Sequence, residues 1–115
     1  MPVPLYQAKA DMFRTLGHPV RIRVLELLQQ GPLAVRDLAA AAEVESSTMS
    51  QQLSVLRMAG LVTATRDGGS VVYSLSRGEV AELLRAARRL LSELIADQNG
   101  LLAELQQSPH QPRPG

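Results

Sequence analysis

The feature that most restricts how this chain can fold is a change of apolar period at Gly60. Before it, apolar residues recur at helical spacing. After it, Leu61-Val62-Thr63-Ala64-Thr65 and Val71-Val72-Tyr73-Ser74-Leu75 read as short β-prone runs on either side of Arg66-Asp67-Gly68-Gly69-Ser70. Asp-Gly-Gly between two such runs predicts a hairpin, because glycine takes positive φ without steric cost. Helical spacing then resumes. In a chain of 115 residues this pattern predicts one mainly α domain with a small β-hairpin, in the order α-α-α-α-β-β-α, over residues 1–107.

Punctuation places the helices. Pro4 suits the first turn of a helix whose stripe is Leu5, Ala8, Met12, Phe13 and Leu16, ending at Gly17. His18-Pro19 restarts the pattern, with His18 in the cap position and Val20, Val24, Leu27 and Leu28 facing inward until Gly31-Pro32. A short helix is expected from Val35 to Ala42, with Val35, Leu38 and Ala39 inward, then a turn at Glu43-Val44-Glu45. Ser46 is the expected N-cap of a fourth helix reaching about Ala59, with Gly60 as its stop. Ser76 and Glu79 have the spacing of a capping box for the last helix. Asn99-Gly100 leaves open whether that helix ends early. Residues 108–115, with three prolines, are expected to be a disordered tail.

Composition excludes several function classes. With 45% hydrophobic and 20% charged residues the chain has the make-up of a folded protein. There is no cysteine, and the histidines are His18 and His110, so thiolate metal sites, thiol redox sensing and a multi-histidine site within one chain are not expected. No nucleophile–base pair, phosphate loop or paired carboxylates stand in a recognisable context, so an enzyme is not expected. No apolar run approaches the roughly 18 residues of a membrane span and no signal-peptide pattern opens the chain. These absences predict a cytoplasmic protein without a membrane partner.

Charge is informative in its distribution rather than its sum of +1. From Ser46 to Arg66 there is no acidic residue. With Met49, Leu53 and Leu56 on the inward face of the fourth helix, the opposite face presents Ser47, Gln51 and Ser54, flanked by Thr48, Ser50, Gln52 and Arg57. Such a helix fits the major groove of B-DNA, where glutamine pairs with adenine and serine or threonine with bases or phosphates, and where a carboxylate would be repelled. An ordinary solvated face would be rich in Glu and Lys. Arg66, at the base of the hairpin tip, is placed for the minor groove or a phosphate. Helix, turn, helix and hairpin in this order is a winged helix-turn-helix. The alternative is a winged-helix protein-interaction module with only weak, non-specific DNA binding.

The last helix carries Val80, Leu84, Ala87, Leu91, Leu94, Gln98, Leu101 and Leu105 at alternating spacings of four and three, widened by Leu83, Leu90, Ile95 and Leu102. A stripe this wide suits two surfaces, its own domain and a second subunit, and points to a homodimer.

Phe13-Arg14-Thr15-Leu16-Gly17-His18-Pro19-Val20-Arg21-Ile22-Arg23-Val24-Leu25 resembles the opening of the ArsR/SmtB family of bacterial transcriptional regulators. Ser47 to Arg57 resembles that family's recognition helix, Ala59-Gly60-Leu61-Val62 with Arg66-Asp67-Gly68 its entry into the wing, and Tyr73-Ser74-Leu75 its returning strand. The resemblance covers about residues 5–95. It implies a homodimer joined through the first and last helices, here through Leu5, Met12, Leu84, Ala87, Leu91 and Leu94. It also implies double-stranded operator DNA with an inverted repeat, and usually a repressor released by an effector. The family's Cys-x-Cys metal positions are Ala34 and Arg36 in this chain, and the last helix has no histidine. An atypical nickel(II) or zinc(II) site would therefore rest on nitrogen and oxygen donors, with His18 a weak candidate beside carboxylates such as Asp11 or Glu26. Where the family often has histidine, Gln52 stands. A partner regulator protein could supply the sensing that this chain lacks.

Overall fold

The structure, a computed structural model, describes residues 2–107. Its elements are α1 (Leu5–Leu16), α2 (Pro19–Leu28), β1 (Leu33–Ala34), α3 (Val35–Ala42), α4 (Ser46–Met58), β2 (Val62–Asp67), β3 (Ser70–Leu75) and α5 (Gly78–Gln107). The chain divides into two compact units, Met1–Ala81 and Glu82–Gly115, so the first turn of α5 belongs to the first unit. The expected tail at 108–115, with His110, lies outside the described residues.

The first unit is assembled around the helix-turn-helix of α3 and α4. Leu25, Leu38, Met49, Leu53 and Leu56 are fully buried, as is Val24, and no polar or charged side chain is buried among the described residues. Fully burying each large apolar side chain stabilises the fold by about 1.5–3 kcal/mol. The inward face of α4 is as expected. That of α2 is rotated: Leu25 is buried while Val20 and Leu27 are only half-buried. In α1 only Leu16 of the stripe is buried, Met12 is half-buried, and Leu5 and Phe13 are exposed.

The period of two after Gly60 produces the hairpin. β2 and β3 pair from Val62↔Leu75 to Asp67↔Ser70, which leaves Gly68 and Gly69 as a two-residue turn. Both have positive φ, 58° and 89°, as a hairpin turn matched to strand twist requires. The sheet has a third strand that periodicity did not predict. β1 pairs with β3 through Leu33↔Tyr73 and Ala34↔Val72, making β3 the central strand. Two residues are too few to show a period. β2 also begins at Val62 rather than Leu61 and extends to Asp67.

Three helix starts differ from expectation. Pro4 is the N-cap residue of α1 rather than part of its first turn. Glu45, not Ser46, occupies the N-cap of α4, and its side chain makes no cap bond. The Ser76–Glu79 capping box does not form. α5 begins only at Gly78, and the Ser76 hydroxyl instead donates to the Gly60 carbonyl oxygen at 2.7 Å, tying the end of the sheet to the end of α4. The last helix runs through Gly100 to Gln107 without a break.

α3 and α4 end in the same way. At the end of α4, Gly60 has φ 80°, its N–H donates to Arg57 O, and Leu61 N–H donates to Leu56 O. At the end of α3, Glu43 N–H donates to Ala40 O and Val44 N–H to Ala39 O. These are the paired bonds of a Schellman motif, which needs a left-handed residue at its turn. At Glu43, with φ 59° and ψ 44°, that residue carries a Cβ, which costs about 1–2 kcal/mol. Glu43→Gly is therefore expected to raise stability by about 1 kcal/mol after the greater chain entropy of glycine is offset. Urea denaturation at fixed protein concentration measures it, and an unchanged or lower midpoint contradicts the strain.

Candidate nucleic-acid interface

Rotation of α4 about its axis is fixed by Met49, Leu53 and Leu56, and this decides which side chains remain outside. Ser47, Ser50, Gln51, Ser54 and Arg57 are exposed, whereas Thr48 and Gln52 are half-buried. Within Ser46–Met58 the single charge is Arg57, in the last turn. These exposed side chains are polar, and the helix is free of carboxylates over its whole length. Val55, at the edge of exposure, and Met58, fully outside, are apolar members of the same helix that the sequence reading left unassigned.

Arg66 lies in β2 opposite Val71, one residue before the hairpin's last pair, and is exposed. The wing that carries it is anchored at its base. Ser76 N–H donates to Leu61 O, and its hydroxyl donates to Gly60 O. The helix and the hairpin are therefore held together at the end of α4, while the tip with Gly68 and Gly69 extends freely. Arg57 and Arg77 line one shallow recess at this junction with Gly60, Val62, Thr63 and Ser76.

One residue that sequence reasoning missed joins this face. Arg21, on the first turn of α2, donates from Nε to Oε1 of Gln52 at 2.8 Å and from Nη1 to the Thr15 carbonyl oxygen at 3.0 Å. No local periodicity brings position 21 to position 52. Among the described residues the ion pairs are Arg14–Asp11 and Arg23–Glu26, so Arg21 has no carboxylate partner.

His18 is a cap. Its backbone is extended, and its Nδ1 accepts the Val20 N–H at 3.2 Å while Pro19 opens α2. Asp11 accepts from Gln7 and Arg14, and Glu26 pairs with Arg23. Among the described residues no three His, Cys, Asp or Glu side chains come together as a metal site. Ala34 in β1 and the exposed Arg36 in α3 offer no donors to a thiophilic ion, so the residues present do not fit the metal site usual in the resembled family.

A buried helix-turn-helix with a polar outer helix and an anchored hairpin defines a winged helix-turn-helix protein. Residues 18–64 match the description "Bacterial regulatory protein, arsR family". An uncharacterized HTH-type transcriptional regulator of Mycobacterium tuberculosis, Rv0081, is 47% identical over 103 residues, covering 89% of this chain and 90% of its own length. Its crystal structure superposes with a TM-score of 0.79, covering 84% of this chain and 98% of that one. The homodimeric winged helix-turn-helix DNA-binding domain Mb0332 of Mycobacterium bovis is 31% identical, with a TM-score of 0.74 over 79% of this chain and 84% of its own. A biofilm growth-associated repressor of Agrobacterium fabrum is 34% identical over 90 residues, 75% of this chain and 77% of its own. The chain belongs to the ArsR family of bacterial regulatory proteins and is a DNA-binding transcriptional regulator, not an enzyme. Among the described residues no helix is long and apolar enough to cross a membrane.

The cap reading of His18 separates from a ligand reading by substitution. Asparagine caps helices well and binds metal poorly, so His18→Asn is expected to stay within about 0.5 kcal/mol of the parent while His18→Ala loses about 1 kcal/mol. Thermal melts with and without nickel(II) or zinc(II) decide it. A metal-induced rise in the parent that His18→Asn abolishes contradicts the cap as the residue's whole role.

Proposed function

We propose that this chain is a repressor that binds an inverted-repeat operator as a homodimer, with α4 of each copy in successive major grooves and each hairpin over the flanking backbone. The observation that carries the reading is the outer face of α4, where Ser47, Ser50, Gln51, Ser54 and Arg57 stand exposed without a carboxylate among them. Thr48 and Gln52 complete the contacts at its edge. Serine, threonine and glutamine supply donors and acceptors for base edges and phosphates, while Arg57 and Arg66 supply charge for phosphates.

Pairing is supported by apolar side chains left in the open. On α5 Leu91 is 58% and Leu94 49% exposed, in company with Leu90, Ile95, Leu101 and Leu105. On α1 Leu5 and Tyr6 are exposed and Met12 is half-covered. Ala87 is open to solvent and Leu84 half-buried. Such surfaces mark contact sites, and the similar Mb0332 domain is homodimeric. Repression is supported by the name of the Agrobacterium relative. Steric occlusion of a promoter is the mechanism these features support.

Selection of bound duplexes from a randomised library, followed by fluorescence anisotropy against a scrambled duplex, tests the function. A preference of about 10³-fold or more is expected. Arg57→Ala and Arg66→Ala should each weaken binding to all duplexes alike and lower the salt slope by about one. Leu91→Glu should give a monomer in sedimentation equilibrium and lose the preference for paired half-sites. Equal, weak binding to selected and scrambled duplexes would contradict the reading and favour a protein partner.

A further inference from the structure

Resting on the DNA-binding reading above, we infer that Arg21 is a positioning residue for that interface, holding the Gln52 amide so that Gln52 donates to a DNA phosphate instead of reading adenine. Three observations lead there. Arginine has donors only, so the amide atom facing it at 2.8 Å must be oxygen, and the amide is thereby fixed with its NH2 directed away from Arg21. Reading adenine requires a glutamine to offer oxygen and nitrogen side by side to the base edge. Here the oxygen already faces the protein. The remaining NH2 supplies donors alone, which match an oxygen of the DNA backbone.

Position on the helix agrees. Gln52 precedes the fully buried Leu53 and is itself half-buried, at the edge of the outer face, whereas Ser47, Gln51 and Ser54 occupy its centre. A helix lying in the major groove brings the edges of its outer face toward the phosphate walls and its centre toward the bases.

The anchoring of Arg21 agrees as well. Its Nη1 donates to Thr15 O, one of the last carbonyls of α1, whose neighbours Arg14 O and Leu16 O accept from Gly17 N–H and His18 N–H. A guanidinium at a helix C-terminus meets the negative end of the helix dipole. Fixed at one end by α1, and by its own backbone in α2, the side chain has little freedom left and presents Nε to α4. With no carboxylate beside it among the described residues, its charge is also available to the phosphate that Gln52 would meet.

The test uses the full chain, with Arg21→Lys, Gln52→Ala and the double variant, on duplexes selected from the randomised library by the parent protein. Arg21→Lys keeps the charge and loses the forked donor, so a purely electrostatic role would leave it unchanged. Each single variant is expected to bind about tenfold more weakly, and the double no more than about threefold weaker than either. The base preference at every operator position should be that of the parent. In ¹⁵N-labelled protein the Arg21 Nε–H signal should be protected from exchange in the parent and lose protection in Gln52→Ala, while thermal melts show that both variants fold. Altered preference at any base pair in Gln52→Ala, unchanged affinity in either single variant, or additive losses in the double would overturn the inference while leaving the DNA-binding function intact. A parent protein that selects no duplex at all would remove both.

Discussion

The anchoring of α4 by Met49, Leu53 and Leu56 is the constraint on which the rest depends. All three are at zero exposure, and they share one face of the helix. Each residue advances a helix by about 100°, so a slip of one position would carry Gln52 or Ser54 inward and turn an apolar side chain out. No polar side chain is buried among the described residues. A slipped helix would therefore bury polar groups in a core that offers them no side-chain partner, at a cost of a few kcal/mol. Burial in this way sets which residues face outward, although it has no directionality of its own.

Direction comes from a few hydrogen bonds at the ends of elements. The Schellman turn at Gly60 reverses the chain out of α4, and Ser76 bonds to that same turn, so α4 and the wing share one fixed corner. β1 adds a second tie. It pairs with the central strand β3 and runs directly into α3, so the sheet reaches both helices of the helix-turn-helix. Arg21 adds a third, bonding Gln52 of α4 and reaching the end of α1. The wing tip is governed differently. Gly68 and Gly69 are exposed and make its turn possible through positive φ, and adding a Cβ there would meet no neighbour. Backbone conformation rather than packing keeps those two positions glycine.

Much of this was legible because the signals were long or unambiguous. Four turns of helical spacing place α4, and a two-glycine turn between β-prone runs fixes the hairpin register. His18 before Pro19 reads as a cap, and it is one. The misreadings fall where a short motif had two uses for one side chain. Ser76 has the spacing of a capping box, but the Gly60 carbonyl is near enough to take its hydroxyl, and α5 starts later. Ser46 is a good cap type, yet it opens the first turn of α4, and Glu45 holds the cap position with extended backbone and no side-chain cap bond. β1 is too short for any period. Arg21 was hidden for another reason: its bond to Gln52 spans 31 residues, and long-range hydrogen bonds between side chains leave no trace in local spacing.

The modest net charge of +1 bears on how such a chain holds DNA. Each phosphate neutralised contributes about 0.9 to the salt slope. With Arg57 and Arg66 as the charged contacts, and Arg21 adding to them at the edge of α4, one copy would engage only a few phosphates and bind weakly at physiological salt. Two copies joined on one duplex double the contacts, and the second half-site is then met at a high effective concentration. On the proposed mode of binding, low charge would make affinity depend on pairing. It also leaves base readout a larger share of the total, since little non-specific attraction competes with it. A regulator of this kind would gain discrimination by keeping its outer helix free of carboxylates and firmly set.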